Sequence, residues 1–297
     1  MIRTPVDRSR RWLVGCHRGM GDLLYVSSAL TRLRNELPPG IGLDLAAGRG
    51  LWADAVRHLP AVDRILPTDS WDDITRLARD GGYERVLVAR VTEWMPWRRY
   101  FGWTLRAQLE GKHLVDVLAA TLGVRLDPAD RHPLYVSDPS DPEDDPTPAR
   151  ELGRYAVVAL HGYTHHGHNE SAWRLLLPPL LDDATKRAHR LVIVGPPGEP
   201  IVAAPGLVDR RGESIRRVAA LVERAAVVVS VLNGITVLAD ALERPVVLLA
   251  LGRDPLSVVG PLRPPLAVFG APGSKGASAV NVSAFVDRVG RALAEES

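Results

Sequence analysis

The stretch that most constrains this chain is residues 16–30, CHRGMGDLLYVSSAL. An apolar run at residues 12–15 leads into it, Gly19 and Gly21 bracket a tight turn, and a helical pattern continues through Leu24, Leu30 and Leu33. A buried strand that passes through a glycine turn into a helix places backbone N–H groups at the carboxyl end of a sheet strand, where open α/β sheets take their ligands. Glycine lets another molecule approach that backbone closely. Asp22 stands at the start of the helix. Two readings follow for it. It is a preferred residue type for capping the helix, or it is a carboxylate directed at a ligand.

The same alternation recurs down the chain. Residues 42–46, 64–66 and 85–89 read as strands, and residues 51–58, 71–79 and 113–122 as helices. In the second half residues 155–160, 191–194, 226–231 and 245–251 read as strands, and residues 215–224, 235–242 and 282–294 as helices. Short apolar runs between amphipathic helices argue for parallel sheets covered on both faces. Residues 138–149, DPSDPEDDPTPA, interrupt the pattern with an acidic, proline-rich run. Such a run favours an extended chain and reads as an interdomain linker, with a surface loop as the alternative. The expected class is α/β, with two Rossmann-like domains at residues 1–140 and 150–297 facing across a cleft.

A length of 297 residues is ample for cores of this kind. The net charge of +2 is too small to imply a nucleic-acid partner. Cys16, the single cysteine, excludes an internal disulfide and a cysteine-based zinc site. The polar, basic start is followed by no apolar stretch of signal-peptide or membrane-span length, and no basic amphipathic surface helix stands out. A cytoplasmic enzyme with no stable membrane anchor is the expectation.

Four further stretches could carry chemistry. Residues 91–106, VTEWMPWRRYFGWTLR, hold three of the seven tryptophans. Trp94 and Trp97 offer surfaces for stacking a ring, and Arg98 and Arg99 could hold an anion; an aromatic plug in the core or a dimer contact is the alternative. His161, His165, His166 and His168 cluster after a strand. No carboxylate or cysteine spacing nearby matches a metal site, so contact with phosphate or sugar is the better reading and no metal is expected. Asn233 and Gly234 form a second strand–turn–helix junction suited to a diphosphate, with Thr236 offering a hydroxyl. Asn-Gly is also common in ordinary turns. Arg253, in GRDP, could neutralise phosphate charge or lie exposed on the surface. A nicotinamide-dependent dehydrogenase is disfavoured, because no acidic residue ends the second strand and Asp44 lies inside it.

Taken in order, these motifs resemble glycosyltransferase family 9, the ADP-heptose heptosyltransferases. RGMGDLLYVSSALTRLRNELP, IGLDLAA and HLPAVDRILP are similar to that family's opening. YAVVALHGYTHHGHNESAW looks like its strand, histidine loop and tryptophan, and LVERAAVVVSVLNGITVLADALERPVVLLALGRDP like its donor signature. The resemblance implies a GT-B fold with an acceptor-binding first domain and a donor-binding second domain. It also implies inverting, metal-independent sugar transfer with no cofactor. In that family the aspartate of the Gly-Asp turn is the candidate base, which falls on Asp22. Gly21, His161, His168, Asn233, Gly234, Thr236 and Arg253 would meet an ADP-sugar or a similar donor. Gly19, Trp94, Trp97, Arg98 and Arg99 would meet a small soluble acceptor such as a natural-product intermediate. The chain also departs from the family pattern. Ser171 and Ala172 precede Trp173 where a basic residue is usual, leaving His168 or Arg174 to substitute. Leu232, Asn233, Gly234 and Val237 stand where the donor signature carries an acid, a serine or threonine, a glycine and a histidine. Those losses leave a second expectation open: a non-catalytic GT-B-like protein that binds a nucleotide or a partner.

Overall fold

The structure is a computed structural model that describes residues 10–17, 19–89, 110–159, 166–197, 204–250, 256–270 and 280–295. The chain forms two compact units, Met1–Val136 and Ser137–Ser297.

The first unit runs β1 (Arg11–Cys16), α1 (Met20–Glu36), β2 (Gly42–Gly48), α2 (Leu51–Asp54), β3 (Arg64–Thr68), α3 (Trp71–Asp80), β4 (Arg85–Val88) and α4 (Leu114–Thr121). Its sheet has the order β3-β2-β1-β4, and every pairing is parallel. β2 is buried along its whole length, as expected for a strand covered on both faces. α1 is buried almost all round, from Leu23 to Leu30 and again at Leu33. Two buried serines tie it down. Ser27 Oγ donates to the Leu24 carbonyl at 2.6 Å and accepts from the Leu134 N–H at 2.7 Å, and Ser28 Oγ donates to the His132 carbonyl. Gly15 lets α3 rest directly on β1: a Cβ there would lie 2.6 Å from Ile74 Cγ2. The helix expected over residues 51–58 shortens to α2, and the chain continues in turns.

The second unit runs α5 (Thr147–Arg150), β5 (Tyr155–Ala159), α6 (His166–Lys186), β6 (Arg190–Val194), β7 (Leu207–Asp209), α7 (Ile215–Arg224), β8 (Val227–Val231), α8 (Gly234–Ala241), β9 (Val246–Leu249), α9 (Leu256–Val259), β10 (Ala267–Phe269) and α10 (Val282–Ala294). Its parallel sheet has the order β10-β9-β8-β5-β6-β7. Leu176, Leu180 and Ala184 recur at helical spacing on α6. They pack with Phe285, Val289 and Leu293 of α10 over alternate strand residues, among them Val227, Val229 and Val231. Burying each such large side chain contributes roughly 1.5–3 kcal/mol.

The acidic, proline-rich run is not a free linker. It belongs to the second unit and folds into a 3₁₀ turn, Pro142–Asp144, followed by α5. Asp144 is buried against the fully buried Arg216 of α7 and also accepts from the Asp138 N–H at 2.7 Å. A charged side chain buries when a partner of opposite charge meets it, and composition alone does not report that partner.

Candidate functional site

Each sheet has one place where the strand order reverses. In the first unit β1 lies between β2 and β4, so the chain winds outward to one side and returns on the other. In the second unit β5 lies between β6 and β8. The crevice at the carboxyl ends of such a strand pair is where open α/β sheets hold ligands. The connections that follow β1, β5 and β8 start from those ends, and they carry the sequence motifs.

In the first unit, Gly19 is the N-cap of α1, with φ −59° and ψ 161°, and it supplies no side-chain cap. The Leu23 N–H donates to its carbonyl at 3.1 Å. Gly21 and Asp22 follow in the first turn, both half-buried. The capping reading of Asp22 therefore gives way. The carboxylate sits within the helix, in the turn where the macrodipole favours negative charge.

The residue before this turn was not among the sequence candidates. His17 follows Cys16 directly. Cys16 pairs in register with Ala47, and Gly48, the next residue on β2, pairs with Thr68. The imidazole therefore stands at the carboxyl edge of the sheet. It meets Trp52 edge-on, with ring centroids 5.3 Å apart at 71°, and Trp71 at 6.1 Å and 72°. Trp52 packs against the end of β2, where a Cβ on Gly48 would fall 1.7 Å from the indole Cε3. The available signal was positional. Trp52 opens the first connection after β2, and Trp71 opens the helix after β3, so parallel topology brings both to the edge that carries His17.

The second unit builds the turn after β8 from its own polar groups. Asn233 is the N-cap of α8, and its Oδ1 accepts from the Ile235 N–H at 2.9 Å and the Thr236 N–H at 3.1 Å. Ser230 Oγ donates to the same oxygen at 3.1 Å. Thr236 is fully buried, and its hydroxyl donates to the Val231 carbonyl at 2.7 Å. The hydroxyl expected to meet a donor thus also closes the turn. Thr236→Val should lower stability by about 1–2 kcal/mol through the lost hydrogen bond. If the hydroxyl serves the turn alone, any binding of an ADP probe to the folded protein should change by less than about twofold. Paired thermal and isothermal titrations check both halves.

His161, Arg253, Trp94, Trp97, Arg98 and Arg99 lie outside the described residues. The backbone of His168 is in the first turn of α6, so the histidine-rich stretch is not all loop: helix begins at His166. Asp44 has a different role from any ribose contact. It is fully buried and receives Arg11 Nε at 3.0 Å, Arg64 Nε at 3.1 Å and the Tyr83 hydroxyl at 3.1 Å. These donors stand at the amino ends of the strands, away from the ligand edge.

No protein-family model and no curated protein matches the sequence. Solved structures do match, over nearly the whole chain. The E. coli ADP-heptose lipopolysaccharide heptosyltransferase II structure superposes with a TM-score of 0.66 at 14% identity, covering 96% of this chain and 98% of the other. A glycosyl transferase family 9 structure from Veillonella parvula gives 0.68 at 14% identity, covering 97% and 98%. The E. coli heptosyltransferase WaaC, solved with ADP, gives 0.60 at 20% identity, covering 95% and 99%. The chain shares the two-domain GT-B fold of these proteins.

Proposed function

We propose that this protein is an inverting glycosyltransferase that moves a sugar from a nucleotide-diphosphate donor, an ADP-sugar by preference, to a small soluble acceptor. The observation that carries the reading is the position of Asp22. It is a half-buried carboxylate in the first turn of the helix that follows the switch-point strand of the first sheet. The fold shared with heptosyltransferases, one of them solved with ADP, supports the donor class.

In the proposed reaction the acceptor hydroxyl oxygen attacks the anomeric carbon while Asp22 takes its proton. The bond from that carbon to the diphosphate oxygen breaks, and the nucleoside diphosphate leaves with the electron pair. Backbone N–H groups at helix starts, with Arg253, are assigned to the charge on the leaving group. Gly19 and Gly21 add no side chains on either side of Met20, which eases the approach of the acceptor to Asp22. The transfer is proposed to be metal-independent, so turnover should be unchanged in EDTA.

A second reading, a nucleotide- or partner-binding protein without transfer chemistry, has one specific observation in its favour. Asn233 Oδ1 already takes two of the amides at the start of α8 that a phosphate would use. Membrane anchoring draws no support from the described helices, none of which is long and apolar enough to cross a bilayer.

Thermal unfolding with ADP, GDP, UDP and dTDP tests the donor class. A ligand at 100 times its dissociation constant stabilises the native state by about 2.7 kcal/mol. ADP is expected to raise the melting temperature most. If none of the four does so, the proposed donor site fails and the partner-binding reading replaces it.

A further inference from the structure

The cluster of His17, Trp52 and Trp71 has no part in the chemistry assigned above. Three separate strand ends supply it. His17 follows β1, Trp52 follows β2 and Trp71 follows β3, and each side chain is half-buried. Gly48 makes room for the Trp52 ring against the sheet. Among the described residues the His17 Nδ1 is buried without a hydrogen-bond partner. A buried polar nitrogen left unmatched calls for a partner, which a water or a ligand group can supply. Two arginines of the neighbouring connections are paired already. Arg49 closes on Asp69 at 2.6 Å, and Arg76 on Asp73 at 2.8 Å.

We propose that His17, Trp52 and Trp71 form an acceptor subsite for a neutral, hydroxylated ring. The ring's C–H face lies against the indoles, and one of its hydroxyls hydrogen-bonds His17 Nδ1. Aromatic faces suit the apolar side of such a ring, and the imidazole supplies the single polar contact that orients it. The glycine turn from His17 to Asp22 then presents a neighbouring hydroxyl to the carboxylate. This assignment rests on the glycosyltransferase reading for the word acceptor, but ring binding itself does not.

The test uses phenyl β-D-glucopyranoside and methyl β-D-glucopyranoside as neutral probes and glucose 6-phosphate as the charged control. Binding to the full chain is followed by indole and imidazole NMR signals and by tryptophan fluorescence. Both neutral probes are expected to shift the His17 and Trp52 signals. Trp52→Ala is expected to weaken phenyl glucoside binding about tenfold, the size of one lost aromatic contact. His17→Phe keeps a ring but removes the nitrogen, and is expected to weaken it severalfold with the indole signals still responding. Trp52→Phe serves where Trp52→Ala does not fold, and should show an intermediate loss. The proposal is overturned if the neutral probes leave these signals unmoved, if glucose 6-phosphate binds more tightly than they do, or if the folded variants bind as well as the parent. ADP titration of the same proteins separates the two claims. Ring binding without ADP binding sinks the transferase reading alone, and ADP binding without ring binding sinks the subsite alone.

Discussion

Asp22→Asn is expected to reduce sugar transfer roughly 100- to 10,000-fold, the range of a lost general base, with nucleotide binding retained. The substitution is close to isosteric, and the N-cap position belongs to another residue. Gly19 holds the N-cap position, and its carbonyl accepts from Leu23 at 3.1 Å. The helix behind it is pinned by Ser27 and Ser28 and buried nearly all round. The first turn should therefore keep its geometry while losing its proton acceptor. Single-turnover transfer measured beside ADP titration separates the two effects. Activity within tenfold of the parent would place the base elsewhere in the chain. A parallel fall in ADP affinity and turnover would show that Asp22 serves binding instead of proton transfer.

Much of this architecture was legible because its signal is local. Residues 215–224 and 282–294 were expected as helices and are helices at those bounds. An amphipathic pattern bounded by Ser214 or Asn281 at the N-cap needs no tertiary knowledge. The strands at β1, β5 and β8 were legible for a related reason: both faces are covered, so apolar residues dominate them, with Arg11 at the start of β1 and Ser230 in β8 the polar exceptions. What stayed hidden depends on partners distant in sequence. α6 carries Pro178 and Pro179 inside it, which mask a helix held by the spacing of Leu176, Leu180 and Ala184 on the sheet. β7 and β10 are three-residue edge strands, short enough that only pairing defines them. The acidic run at residues 138–149 looked unable to bury anything because its partner, Arg216, comes much later in the chain. The candidate site divides in the same way. Asp22 and Asn233 were visible from the strand–turn–helix grammar. The sequence offers Thr236 as a donor contact, and nothing local says that its hydroxyl also turns back to Val231. His17 was invisible because its significance lies in two tryptophans that only the parallel sheet brings alongside.

Asp44→Asn should be the most destabilising conservative change in the first unit. The carboxylate is fully buried, and Arg11, which is 7% exposed, would lose its principal counter-charge. Breaking a buried pair by removing one partner costs about 3–5 kcal/mol. The lower end applies here, because Arg64 is half-exposed and Asp63 stands 4.0 Å from Arg11. A loss of about 3 kcal/mol lowers the melting temperature by roughly 10 °C in a domain of this size. The pH dependence gives a second, independent reading. Burial pushes the Asp44 carboxyl up, but hydrogen bonds from Arg64 and Arg11, with their charges, outweigh it and hold the group below its ordinary value. In the window between the folded and the unfolded value, about 3.9, the unfolded chain binds the proton and the folded chain does not. Stability therefore rises with pH across that window. The contribution is fully present above the unfolded value and is lost as pH falls through the folded one. The difference in melting temperature between parent and variant should thus be constant near neutrality and shrink on acidification below about pH 4. A difference that stays level down to acid pH would show that shape, not charge, sets the cost. The network also explains how one small sheet serves two demands. Arg11 and Arg64 open β1 and β3 and, with Tyr83 just ahead of β4, converge on Asp44 near the amino end of β2. The strands are clamped there, so the connections at their carboxyl ends can carry half-buried groups such as His17, Trp52 and Asp22.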